Sequence, residues 1–233
     1  MSWFYAENLR GDQTRIELSP GEHRHLLTVL RAGPGTPLTL TNGQGLVAEG
    51  TVEHVGRRET VCAISEVRRM PPSRNHNLTV ALSTIRPARM DWAIEKLTEL
   101  GIGYIQPLIC EHSSIRNFKR DHLAKIAISA IKQSQQAWLP AFGEPLSFAE
   151  WLSAANPQAV FIAEKQENPL PFPSLNPENP VAVAIGPEGG FSPGELALAR
   201  DLGIGVITLN DTILRTETAA VAAATVLATL RGA

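Results

Sequence analysis

Two short polar stretches of this 233-residue chain carry residue types able to do chemistry. Gly186-Pro187-Glu188-Gly189-Gly190 offers a row of backbone groups and one carboxylate. Leu209-Asn210, continuing to Ile213-Leu214-Arg215, offers a second row and one guanidinium. The β-branched apolar run over 181–185, ending in Ile185, predicts a buried strand feeding the first loop, and the run over 205–209 predicts another feeding the second. Ala163-Glu164 closes a further predicted strand over 159–163 and is expected to form a third wall. Open α/β sheets keep ligands at the carboxyl ends of their strands.

Glycine amides at a helix start attract phosphate, but this loop suits phosphate poorly. It has neither a Gly-Lys-Ser/Thr ending nor G-x-G-x-x-G spacing, and it places Glu188 where an anion needs a neutral or positive neighbour. A ligand with a flat polar base and a cationic centre fits better, and S-adenosylmethionine has that description.

The elements positioning these loops follow from punctuation. Ser192 as N-cap, Pro193 in the first turn and Glu195 three residues after Ser192 form a capping box, and Gly203 marks the stop. A last helix over 217–231 is nearly all Ala with Val, Leu and Thr, so small side chains on many faces predict that it is wedged between other elements or against a partner subunit. Further upstream, strands over 78–85 and 104–110 alternate with helices over 89–100 and 119–137 and a short helix opened by Ser147 and Glu150. The Pro-rich stretch 169–180 reads as a connection or lid. This alternation predicts an α/β fold, a mostly parallel sheet with helices on both faces. Met70-Pro71-Pro72-Ser73-Arg74-Asn75 reads as a linker. Before it, strands over 14–18, 37–41, 46–55 and 60–67, with Asn42-Gly43 as a hairpin signal and one helix from Ser19 to about Arg31, predict a small β-barrel. The expected domains are therefore 1–72 and 76–233.

Taken together, IGPEGGFSxxE, LxxxxLRTETA, Lys96-Leu97-Thr98-Glu99-Leu100-Gly101 and the earlier HRHLLTVLR resemble, in order and over essentially the whole chain, the RsmE family of bacterial ribosomal RNA methyltransferases in the SPOUT class. The resemblance implies a PUA-like, RNA-binding barrel followed by a methyltransferase domain whose carboxy-terminal segment forms a trefoil knot, an exception to the rule that chains do not knot. It further implies S-adenosylmethionine as methyl donor, N3 of a uridine in 16S ribosomal RNA as acceptor, the RNA or the 30S subunit as partner, and a homodimer. Three places depart from the family pattern, one of them His112, where many relatives have Arg. Asn210 stands where Gly is usual, and 132–136 reads Lys-Gln-Ser-Gln-Gln where Glu-Gln-Ser-x-Arg is common. Asn tolerates the left-handed conformation better than most residues.

Within that resemblance, methyl transfer to a ring nitrogen needs mainly positioning and a way to lose the N3 proton; it needs no metal. Arg215 is the candidate for stabilising charge on the ring oxygens, the plainer alternative being a salt bridge to Glu217 or Glu188. Glu188 either holds the cationic end of the cofactor or caps amides of its own loop. Thr216, Glu217 and Thr218 read as ordinary helix-start residues. Arg10, Arg31 and Arg86 are the candidate RNA contacts. His23 and His25, two apart on a predicted helix, point in different directions and make a poor metal pair.

Composition narrows the class without deciding it. Hydrophobic residues make up 43% and the formal net charge is −2, which speaks against a strongly basic nucleic-acid binder. Positive charge up to Arg74 is carried wholly by Arg, with Arg57, Arg58, Arg68, Arg69 and Arg74 close in sequence, a pattern suited to phosphates and equally to a solvated β-surface. No apolar run approaches the roughly 18 residues of a membrane span, and the start has no signal-peptide pattern, so the expectation is a cytoplasmic protein. Cys62 and Cys110 lie apart in predicted strands and read as buried thiols. A non-catalytic RNA- or ribosome-binding protein on the same scaffold, and a transferase acting on another RNA, remain alternatives.

Overall fold

The strand signals before the linker resolve into a five-stranded sheet. The computed structural model describes residues 2–115, 118–154, 159–167, 172, 175–176 and 178–231. Strands β1 (Ser2–Tyr5), β2 (Arg15–Glu17), β3 (Pro37–Thr41), β4 (Leu46–Val55) and β5 (Thr60–Arg69) lie in the order β1-β3-β4-β5-β2. All pairings are antiparallel except β1 with β3. The Asn42-Gly43 turn joins β3 to β4, with Gly43 at φ +69°, a conformation that favours glycine. Four-residue β1 carried no alternation signal; it is held by its ladder to β3 and by burial of Phe4 among Leu26, Leu38, Leu40 and Val52. Burying each such side chain contributes roughly 2 kcal/mol.

The helix expected from Ser19 to about Arg31 is shorter and changes type. Ser19 Oγ accepts from the Glu22 amide and opens α1 (Pro20–His25), after which Leu26–Leu30 forms one π-helical turn. Arg31 leaves it in the left-handed region at φ 51°, with its own amide and that of Ala32 both donating to the Leu26 carbonyl. The widened turn keeps Leu26 fully buried while Leu27, Val29 and Leu30 stay exposed.

Chain proximity defines two units, Met1–Pro72 with Ile128–Leu139, and Ser73–Ala127 with Pro140–Ala233. The break falls at the Pro71-Pro72 linker, whereas the inclusion of 128–139 with the first unit had no sequence signal. That segment carries Trp138, whose Nε1 donates to the Met70 carbonyl, and Lys132, which pairs with Glu22 at 2.6 Å.

From residue 78 on, the chain alternates as expected: β6 (Leu78–Ser83), α2 (Pro87–Glu99), β7 (Tyr104–Ile109), α3 (Arg120–Ser134), short β8 (Ala141–Phe142) and β9 (Leu146–Ser147), α4 (Phe148–Ala154), β10 (Ala159–Ala163), β11 (Val181–Ile185), α5 (Pro193–Asp201), β12 (Gly205–Ile207) and α6 (Thr216–Leu230). The sheet runs β12-β10-β11-β6-β7-β8, with β9 also on β7, and every pairing is parallel. β11 is buried along its whole length, as a parallel strand covered on both faces requires. Ser192 and Glu195 make the expected reciprocal capping box on α5. The Ala-rich α6 packs against α2, β6 and β11 with Ala220, Ala223, Ala224 and Leu227 buried; its small residues permit the close approach. The Pro-rich connection lies largely outside the described residues. Cys62 and Cys110 are buried free thiols. No helix among the described residues is long and apolar enough to cross a membrane.

Candidate active site

Parallel strands β10, β11 and β12 end side by side, and the loops leaving them enclose a cavity of about 340 Å³. Its walls are Ala163 and Glu164 after β10, Ile185 with Gly186-Pro187-Glu188-Gly189-Gly190 after β11, and Leu209, Asn210, Ile213 and Leu214 after β12. All the residues expected to touch a cofactor thus converge except Arg215, which is the exposed N-cap of α6 and is not among the lining residues. Lys165, Thr212, Thr216 and Ala219, for which no binding role was expected, also line the wall.

Local chemistry explains the loop shapes. Gly190 sits at φ +71°, and a Cβ on Gly189 would lie 3.0 Å from Cβ of His112, so both positions favour glycine. His112 Nδ1 lies 3.1 and 3.2 Å from the Gly189 and Gly190 carbonyl oxygens, a geometry that requires the proton on Nδ1 and pins the loop to the segment after β7. The Thr216 hydroxyl donates to the Gly186 carbonyl at 3.1 Å, tying the start of α6 to the same loop. On the opposite wall, the Glu164 amide donates to the Ile207 carbonyl and the Thr208 hydroxyl donates to the Glu164 carbonyl, each at 3.1 Å. Half-buried Glu164 has its carboxyl raised above the ordinary carboxylate value, chiefly by desolvation, against a lowering hydrogen bond from the Lys165 backbone.

Asn210 uses no glycine-like backbone. Among the described residues, the non-glycine positions with positive φ are Arg31 and Gln135, and the Asn210 side chain instead donates to Thr212 Oγ1 at 2.7 Å. Asn210 therefore introduces no backbone strain.

The plainer reading of Arg215 as a salt-bridge partner of Glu188 or Glu217 is not what the geometry shows. Arg89 of α2 takes both carboxylates, with Nη1 2.9 Å from Glu188 Oε1 and Nε 3.6 Å from Glu217 Oε1. Among the described residues no hydrogen bond or ion pair engages the Arg215 side chain. Arg89 had no local signal, since it precedes Glu188 by 99 positions. Arg10 and Arg31 are exposed in the first unit and Arg86 is exposed at the start of α2 in the second. His23 is bonded to Thr60 Oγ1 at 2.7 Å and His25 stacks edge-on against Phe4. Among the described residues no group of three or more His, Cys, Asp or Glu is placed to hold a metal.

A parallel α/β sheet with a half-open cavity at three strand ends, of a volume in the usual range for cofactor sites, is the arrangement of a nucleotide- or nucleoside-cofactor enzyme. Residues 72–228 match the family described as RNA methyltransferase domain. A ribosomal RNA small subunit methyltransferase E from Rickettsia conorii is 30% identical over 94% of this chain and 91% of its own length. Among solved structures, a putative methyltransferase from Legionella pneumophila in complex with bound SAM superposes with a TM-score of 0.87 at 28% identity, covering 97% of this chain and 96% of that one. A ribosomal RNA small subunit methyltransferase E from Neisseria gonorrhoeae, bound to S-adenosyl methionine, gives a TM-score of 0.84 at 29% identity, covering 99% and 98%. The chain is an RNA methyltransferase, and it belongs to the ribosomal RNA small subunit methyltransferase E family.

Proposed function

We propose that this protein transfers the methyl group of S-adenosylmethionine to N3 of a uridine in 16S ribosomal RNA. The observation that carries the reading is the convergence of the three strand-end loops on one cavity in a chain of this family. The cavity fits the cofactor: its volume suits a nucleoside, its rim offers backbone groups to a flat base, and the Glu164 and Glu188 carboxylates suit hydroxyl and cationic donors. The bound cofactor supplies an electrophilic methyl on a sulfonium, which leaves as a neutral thioether.

The protein's share is positioning and charge. Ile185, Gly186, Pro187, Gly189, Gly190, Leu209, Asn210, Ile213 and Leu214, with Ala163 and Glu164, hold the methyl donor, and Glu188 faces its cationic end. The acceptor nitrogen must approach in line with the departing sulfur, and its proton is lost to solvent or a base as the N–C bond forms. Arg215, exposed and unengaged among the described residues, stabilises the negative charge that deprotonation spreads onto the ring oxygens. Arg10, Arg31 and Arg86 contact RNA phosphates. The first unit acts as a PUA-like RNA-binding barrel over 1–72, residues 76–233 form the SPOUT domain with its carboxy-terminal trefoil knot, and two copies form a homodimer acting in the cytoplasm on the RNA or the 30S subunit.

The test is mass spectrometry of 16S ribosomal RNA from cells lacking the protein, with and without the purified protein and S-adenosylmethionine added back. Loss and restoration of one N3-methyluridine is the expected result. An unchanged modification pattern sinks the reading.

A further inference from the structure

We infer that Arg89 is a positioning residue that keeps Arg215 available to the substrate by occupying the two carboxylates that would otherwise bind it. The inference rests on the role given to Arg215 above. Arg89 spans from Glu188, in the loop after β11, to Glu217, in the first turn of α6. Both carboxylates are close to Arg215 through the chain. Glu217 follows it by two positions, and Glu188 belongs to the loop that Thr216, the next residue, grips through the Gly186 carbonyl.

The pull these carboxylates exert is strong where they are dry. The Glu217 side chain is only 10% exposed, and its Oε2 is buried without a hydrogen-bond partner among the described residues. A buried carboxylate left without a cation is costly, so removing Arg89 favours a new pairing of Glu217 or Glu188 with Arg215, the arginine two positions before Glu217. Arg215 would then be both neutralised and turned from the acceptor. A lysine at position 89 cannot replace the clamp, because a point charge does not fork between two carboxylates as a planar guanidinium does.

The experiment is a double-mutant cycle on methyl transfer to ribosomal RNA, with cofactor affinity measured in parallel by calorimetry and folding by thermal melts. Arg89→Ala is expected to lower kcat by about ten- to a hundred-fold while cofactor Kd moves only several-fold, since a small misplacement of a reacting group has that scale of effect. In an Arg215→Ala background the same change should cost little more, because both variants remove one function. Arg89→Lys, which retains a cation beside the buried carboxylate, should show a smaller kcat loss with the same non-additivity, and it serves the cycle if Arg89→Ala does not fold. Losses that simply multiply, or an Arg89→Ala enzyme of full activity, overturn this inference and leave the methyltransferase reading intact. A wild-type chain that transfers no methyl overturns that reading and this inference with it.

Discussion

The Thr216 hydroxyl donates to the Gly186 carbonyl at 3.1 Å, joining the first residue of α6 to the first residue beyond β11. Two of the three loops around the cavity are thereby coupled, although they are 30 positions apart in the chain. Thr216 is more than a helix-start residue.

Replacing Thr216 by Val keeps the shape and removes the donor. A lost hydrogen bond of this kind costs about 1 kcal/mol, equivalent to a several-fold weaker S-adenosylmethionine affinity if the loops must be held together to bind it. Calorimetry checks this, and an unchanged Kd would show that the bond is incidental to the site.

Arg215→Ala is expected to leave cofactor affinity within several-fold of wild type while methyl transfer to ribosomal RNA collapses, because an electrostatic group acting on the acceptor is worth roughly 3 kcal/mol in the transition state. The separation between Kd and kcat is the decisive reading. Equal turnover by mutant and wild type would falsify the role.

Glu164 carries a pH prediction with a definite sign. Burial raises its carboxyl above the ordinary value, so in the free protein it charges late as pH rises. Bound hydroxyl or ammonium donors favour the ionised form and pull that value back down. S-adenosylmethionine affinity should therefore weaken as pH falls through the raised titration range of Glu164, above the ordinary carboxylate value near about 4.3. Stability has the opposite sense, because a raised carboxyl favours the fold below its unfolded value and loses that contribution as pH rises through the folded one. Glu164→Gln should flatten both profiles, and a Kd–pH curve identical to wild type excludes the contact.

Lys132 has a partner of opposite charge: Glu22, 2.6 Å away, with side chains 18% and 9% exposed. Lys132→Ala leaves a nearly buried carboxylate unpaired, which costs on the order of 3 kcal/mol. Lys132→Glu should be worse, and the swap of both residues should recover much of the loss. A melting temperature unmoved by Lys132→Ala would show that water relieves Glu22.

Neither thiol is expected to react in the folded protein. Burial pushes Cys62 up to about 11 and Cys110 up to about 12, the latter also through the charge of Glu195 and against a lowering hydrogen bond from Ser83. The thiolate is the nucleophile, so alkylation detected by mass spectrometry should appear only on unfolding. Rapid native labelling of either cysteine would contradict the burial.

Much of this was legible because it is local. Strand and helix identities in the second unit follow from runs such as 181–185 and from punctuation such as Ser192-Pro193 and Gly203, which act within a few residues. Cavity-lining residues were legible because a parallel strand must release its loop at its carboxyl end. The structure shortened what was read as one helix after Ser19, since the buried Leu26 carbonyl accepts two amides and ends it in a π turn. It also supplied β1, whose four residues are strand only because β3 lies alongside.

By itself, then, the amino-acid order determined the alternation of elements, the identity of the loops at β10, β11 and β12, and, through its motifs, the family. Tertiary structure alone decided which charges meet. Whether Glu188 and Glu217 pair with nearby Arg215 or with Arg89 depends on how α2 lies against α6 and the strand ends, and ion pairing is a function of distance in space. Local patterns carry hydrogen bonding and burial over one or two turns. They carry nothing about Arg89, 99 positions before the Glu188 carboxylate with which it pairs.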